Sequence, residues 1–121
     1  MILPDSNVWI DHLRKPQPKL IALLDEGLIF GHPFVTGEVA LGSLAVRERT
    51  IAKLAALPQL PVQRHERVAF LIESSELYGC GVNYVDAHLL ASAMIVPGMR
   101  VWTSDKRFRA QAERLGLAYG S

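Results

Sequence analysis

The chain alternates between short apolar runs and longer stretches whose apolar residues recur at helical spacing. Ile2-Leu3-Pro4 is a short run that stops at an acid, Asp5. Val8, Trp9 and Leu13 then share one side of a helix running to about residue 14, capped by Asp5 or Ser6. Lys15-Pro16-Gln17-Pro18 breaks that helix and starts another, carrying Leu20, Ile21, Leu23 and Leu24 and closing at Gly27. Leu28-Ile29-Phe30 reads as a second strand, ended by Gly31-His32-Pro33. Residues 34–44 read as a helix with Thr36 as cap and Glu38 in its first turn. Ile51, Leu54 and Leu57 mark a helix over 47–57, after which Pro61-Val62 begins a weak edge strand. Residues 65–78 form a long amphipathic pattern, and Gly79-Cys80-Gly81 a turn. Asn83, with Asp86 three residues on, caps a helix over 84–96. A strand at 100–103, a helix from Ser104-Asp105 to Leu115-Gly116 and a last strand at 117–119 complete the pattern.

Strands therefore alternate with helices or helix pairs, which predicts an α/β fold with a parallel sheet covered on both faces. At 121 residues, half of them hydrophobic, a single domain spanning 1–121 with a proper core is expected. The helix at 85–96 is apolar on nearly every side, so it is central to the fold or half in a subunit interface. Composition adds mainly exclusions. A net charge of +1 gives no global case for nucleic acid, so any basic surface is local. A single cysteine, Cys80, rules out an intrachain disulfide and fits a reducing compartment. The N-terminus lacks a basic region leading an apolar stretch, and the longest apolar run, at 89–97, is far shorter than the roughly 20 residues of a membrane helix. These features predict a cytoplasmic protein with no membrane partner.

Asp5, Glu38, Asp86 and Asp105 stand out by position. Each has a plain structural explanation: a carboxylate at a helix N-terminus caps free N–H groups and meets the positive dipole end, worth about 0.3–1 kcal/mol. Together they suggest more. In a parallel sheet, strand C-termini and the helix N-termini that follow share one edge, and open α/β sheets bind ligands there. If the first strand neighbours the one at 100–103, Asp5 and Asp105 face each other, and Glu38 and Asp86 reach the same crevice. Clustered carboxylates repel, and a hard divalent cation such as Mg²⁺ or Mn²⁺ removes the conflict. A water activated by such a cation attacks phosphodiesters, so the chemistry points to a metal-dependent phosphodiesterase.

The stretch from Met1 to Arg14, MILPDSNVWIDHLR, resembles the opening of PIN-domain proteins, in particular the VapC-type toxins of type II VapBC toxin–antitoxin modules. The stretch 83–93, NYVDAHLLASA, resembles the family's third acidic motif, and 101–108, VWTSDKRF, its fourth. Glu38, about thirty residues after Asp5, matches the second. The resemblance covers essentially the whole chain. It implies a three-layer α/β/α sandwich around a mainly parallel sheet of four to five short strands. It also implies a metal-dependent endoribonuclease in which Asp5, Glu38, Asp86 and Asp105 bind Mg²⁺ or Mn²⁺ and catalyse, with Ser6 and Thr103 as supporting hydroxyls. Finally, it implies an RNA substrate, a VapB-type antitoxin lying along the first helices, and a homodimer. Pro4 departs from the aliphatic residue expected there and removes one ladder donor from the first strand.

The other candidates are weaker. Arg100, Lys106, Arg107 and Arg109 surround Asp105 and are candidate RNA-binding residues, though charges often simply cover a surface. Arg47, Arg49 and Lys53 form a second cluster. His12, His32, His65 and His88 lack zinc-site spacing, and His88 lies about 200° around the helix from Asp86, which points to packing. Asp11 is placed to pair with Lys15. Two rivals stand beside the nuclease. One is a haloacid-dehalogenase-type phosphatase, disfavoured because Asn7 stands where that family needs a second acid. The other is a receiver-like or degenerate PIN module that only binds protein, disfavoured by the presence of all four acids.

Overall fold

The computed structural model describes residues 1–120. Its elements run β1 (Ile2–Pro4), α1 (Ser6–Arg14), α2 (Pro18–Asp25), α3 (Pro33–Ala40), α4 (Arg47–Ala56), α5 (His65–Ser74), α6 (Tyr84–Met94), β2 (Arg100–Trp102) and α7 (Lys106–Arg114). β1 and β2 pair in parallel, with Ile2 opposite Arg100 and Pro4 opposite Trp102. Single parallel bridges continue the pairing on both sides: Ile2 to Ile29, Gly31 to Gln59, and Val101 to Ala118. The fold is thus α/β with a two-stranded parallel sheet at its centre.

The strands expected at 28–30 and 117–119 shrink to these single bridges, and the edge strand expected at Pro61-Val62 is replaced by a bridge at Gln59. Pro4 explains part of this. Ile2 N–H donates to Leu28 O and Ile2 O accepts from Phe30 N–H, both toward the 28–30 side. Donors along a strand alternate in direction, so the N–H missing from Pro4 belonged to that same side. The ladder with 28–30 therefore stops at Ile2, while Asp5 N–H still reaches Trp102 O at 2.8 Å on the β2 side. Pro4 trims the neighbouring strand and leaves the acid that follows it anchored.

Helix ends follow local chemistry. Gly27 and Gly116 adopt positive φ and close α2 and α7 as expected. α5 ends at Ser74, short of residue 78, because Glu76 takes a left-handed φ of 50° and Leu77 N–H folds back onto Ile72 O. α6 runs through the middle of the molecule, and every residue from Asp86 to Ala93 is buried. Leu3, Leu89, Leu90, Val101 and Phe108 are fully buried or nearly so, joining both strands, α6 and α7 in one core. Among the described residues no helix is long and apolar enough to cross a membrane.

Candidate metal centre

The carboxyl ends of β1 and β2 carry Asp5, one residue past Pro4, and Thr103 and Asp105, one and three residues past Trp102. Asp5 is the N-cap of α1 and is almost fully buried. Its Oδ1 accepts from Ser6 N–H at 2.8 Å. Its Oδ2 accepts from the Asn7 amide at 3.0 Å and from the Thr103 hydroxyl at 3.1 Å. Thr103, also buried, receives Asp105 N–H on its hydroxyl oxygen at 3.0 Å. Asp105 caps α7, taking Arg107 and Phe108 N–H groups on Oδ1 at 2.9 and 3.1 Å. Asp86 closes a capping box at the start of α6, its Oδ2 accepting from Asn83 N–H while Asn83 Oδ1 accepts from Asp86 N–H. Three of the four acids are therefore helix caps or capping-box partners, as their spacing predicts.

Glu38 arrives differently. The N-cap of α3 is His32, whose Nδ1 accepts from Phe34 N–H at 3.0 Å, and the helix starts at Pro33. The cap expected at Thr36 is corrected to His32, and Glu38 sits in the second turn of α3 rather than its first. Proline at the first helical position favours the earlier start, since its missing N–H is not needed there. Glu38 still faces the cluster: the Ser6 hydroxyl lies beside it, and it feels the charge of Asp5.

The four acids repel one another. Burial and the Asp105 charge raise the Asp5 pKa above the usual carboxylate value, against the hydrogen bonds from Ser6, Thr103 and Asn7. Burial likewise raises Glu38, with Asp5 adding to it. Asp86 is pushed up to about 7, mainly by burial, then by Asp5, Asp105 and Glu38 together. A region holding this much negative charge with only hard oxygen donors suits a divalent cation. Among the described residues no three His, Cys, Asp or Glu side chains converge as a ready chelate. The donor set instead fits an ion of the Mg²⁺ kind, held through one or two carboxylates with water completing its shell.

Other residues singled out in the sequence disperse. Ser6 is in the cluster. Lys106 and Arg107 are exposed at the start of α7, beside Asp105, and the Arg107 side chain lies over Gly81. Arg100 opens β2, at the opposite end of the strand from the acids, and donates to Met99 O. Arg109 is tied to Glu113 at 2.8 Å and to the carbonyls of Tyr119 and Gly120, so it pins the C-terminal segment. His88 packs its ring between Phe34 and Tyr84, away from chelation. Asp11 and Lys15 meet only through a backbone hydrogen bond. From the sequence Asn7 signals only that a second acid is absent. In the structure the Asn7 amide bridges Asp5 and Thr103, and its Oδ1 accepts from Ser104 N–H at 3.1 Å. The available signal was its place two residues after the acid, in the first turn of a helix capped by that acid.

Taken together, fold and site define an α/β protein whose parallel strands end in a carboxylate cluster suited to a hard cation. No family model matches the chain. Ribonuclease VapC32 of Mycobacterium tuberculosis, found in two strains, is 43% identical over 118 residues, covering 98% of this chain and 95% of that protein. The chain belongs to the VapC family.

Proposed function

We propose that this protein is a metal-dependent endoribonuclease, the toxin of a type II toxin–antitoxin module, acting on RNA phosphodiester bonds. The observation that carries this reading is the gathering of four acids: Asp86, pushed up to about 7 first by its burial, is raised further by the charges of Asp5, Asp105 and Glu38. The similarity to a protein named ribonuclease supports it. Asp5, Asp86 and Asp105, with Glu38, would surround Mg²⁺ or Mn²⁺, one or two of them as direct ligands and the others through its water shell. When bound, the cation supplies positive charge for a phosphodiester oxygen and acidifies a water nucleophile. Asp5 is held in one orientation by Ser6, Asn7 and Thr103. Asp105 is held through Oδ1 by the Arg107 and Phe108 N–H groups in the first turn of α7. Lys106 and Arg107 place positive charge beside the cluster, suited to an RNA backbone. The reading includes a single PIN-like domain over 1–121, a three-layer sandwich of four to five short strands, and a homodimer in the cytoplasm.

The reading also includes a VapB-type antitoxin. A pocket of about 290 Å³ between α1, α2 and α4 has an apolar floor of Trp9, Leu13, Leu24, Leu54 and Leu57 and a basic rim of Arg49 and Lys53. It suits an apolar segment with acidic flanks, on the helix that Asp5 caps.

Cleavage of total RNA by the purified protein, with Mn²⁺ and with EDTA, tests the activity. Cleavage should require the metal. Asp5→Asn should lose more than the about 10–100-fold typical of an outer-shell change at a metal site. Wild-type cleavage by Asp5→Asn would refute the mechanism.

A further inference from the structure

Asn7 bonds to both strand ends at the tip where β1 and β2 meet. Its amide donates to Asp5 Oδ2 at 3.0 Å and to Thr103 Oγ1 at 3.1 Å, and its Oδ1 accepts from Ser104 N–H at 3.1 Å. Thr103 Oγ1 in turn donates to the same Asp5 Oδ2 and accepts from Asp105 N–H. A carboxylate oxygen offers about two acceptor positions. Both positions on Asp5 Oδ2 are therefore filled by protein donors, while Oδ1 spends one on Ser6 N–H and keeps one. The same bridge holds the Ser104 backbone, and so fixes where the turn to Asp105 begins.

We infer that Asn7 is a positioning residue for the cation: it clamps Asp5 so that Oδ1 is the ligating oxygen, and it sets the separation of the Asp5 and Asp105 carboxylates. This rests on the cation reading above. Asn7 acts through Asp5 and Thr103, without touching ion or RNA. Partners of this kind around metal ligands change affinity by about 10–100-fold when removed.

The test is Mn²⁺ binding by calorimetry on the metal-free protein, with the EDTA-state Tm measured in parallel. Asn7→Ala should weaken the Mn²⁺ dissociation constant at least tenfold, within the about 10–100-fold range of outer-shell changes. A merely structural role would lower Tm and leave the constant unchanged. Because Asn7 and Thr103 serve one oxygen, the double variant with Thr103→Val should weaken binding by less than the product of the single effects. If Asn7→Ala fails to fold, Asn7→Ser takes its place. It keeps a polar group in the first turn but is too short to span from Asp5 to Ser104, and the same weakening is expected. Wild-type affinity in the folded Ala or Ser variant, or multiplicative effects in the double variant, overturns the inference. Absence of Mn²⁺ binding by the wild-type protein at millimolar metal overturns the cation reading itself, and the clamp with it.

Discussion

Asp86 carries the sharpest electrostatic conflict in the molecule, being buried beside three other acids and yet bonded through Oδ2 to Asn83 N–H. Its pKa rises from 3.8 to about 7 on folding. The unfolded chain releases this proton near pH 3.8, whereas the folded protein keeps it until about pH 7. Stability therefore falls as pH rises through that window and stays lowered above it. Asp86→Asn keeps an oxygen for the capping box and removes the charge. In EDTA at pH 8 it should raise Tm by on the order of a few degrees, and at pH 4 the gain should vanish. A variant that melts with or below wild type at pH 8 would contradict the repulsion. At this scale the sequence was partly legible. Asp5, Asp86 and Asp105 could be read from their places at helix starts, because capping is local chemistry. Asn7 could not, because its partners Thr103 and Ser104 lie at the far end of the chain.

The elements divide by how local their stop signals are. α2 and α7 end where glycines close them, and α6 starts at the capping box read from Asn83 and Asp86. α7 shows how a cap and a proposed ligand can be separated. Asp105→Asn retains an acceptor for Arg107 and Phe108 N–H, so its Tm should stay close to wild type while RNA cleavage is lost. Asp105→Ala should lose cleavage and also about 0.5–2 kcal/mol of stability, as N-cap deletions do. Equal melting of the two variants would show that the cap contributes little. α3 was misplaced because its cap, His32, is specified by tertiary contacts. His32 Nε2 meets Ser92 Oγ at 3.0 Å, and Ser92 donates to Pro61 O at 2.8 Å. That chain makes Nε2 the protonated nitrogen and leaves Nδ1 free to accept from Phe34 N–H. Burial, with His88 adding repulsion, lowers the His32 pKa from 6.5 to about 4. The unfolded chain binds this proton near pH 6.5 and the folded protein resists it until about pH 4. Stability should therefore drop as pH falls across that window and level off below it. His32→Asn keeps the cap acceptor without titrating. The difference between its Tm–pH curve and that of wild type should be confined to that window; parallel curves would count against a neutral buried His32.

At the scale of the whole molecule, the cluster exists because β1 and β2 are parallel neighbours, with Pro4 opposite Trp102 and the acids just beyond both. The proposed antitoxin pocket lies on α1, so one helix serves both the acidic edge and the docking groove. Leu13 lines this pocket and the adjoining groove toward the α3–α4 loop. Leu13→Arg should weaken neutralisation by the cognate antitoxin at least tenfold, equivalent to about 1.4 kcal/mol, and leave metal-dependent cleavage of RNA unchanged. Full neutralisation of that variant would move the docking surface elsewhere.

By itself the sequence determined the alternation of strands and helices, the buried character of 85–96, and the acids at helix starts. Hydrophobic periodicity and capping depend on neighbours within a turn or two, and those are written consecutively. The tertiary structure alone decided which strands meet. It stopped the ladder toward 28–30 at Ile2, where Pro4 lacks a donor, and it moved the start of α3 to a histidine held by Ser92. It also made Asp5, still the cap of α1, one member of a repelling cluster, because residues nearly a hundred positions apart in sequence share one edge only after β1 and β2 pair.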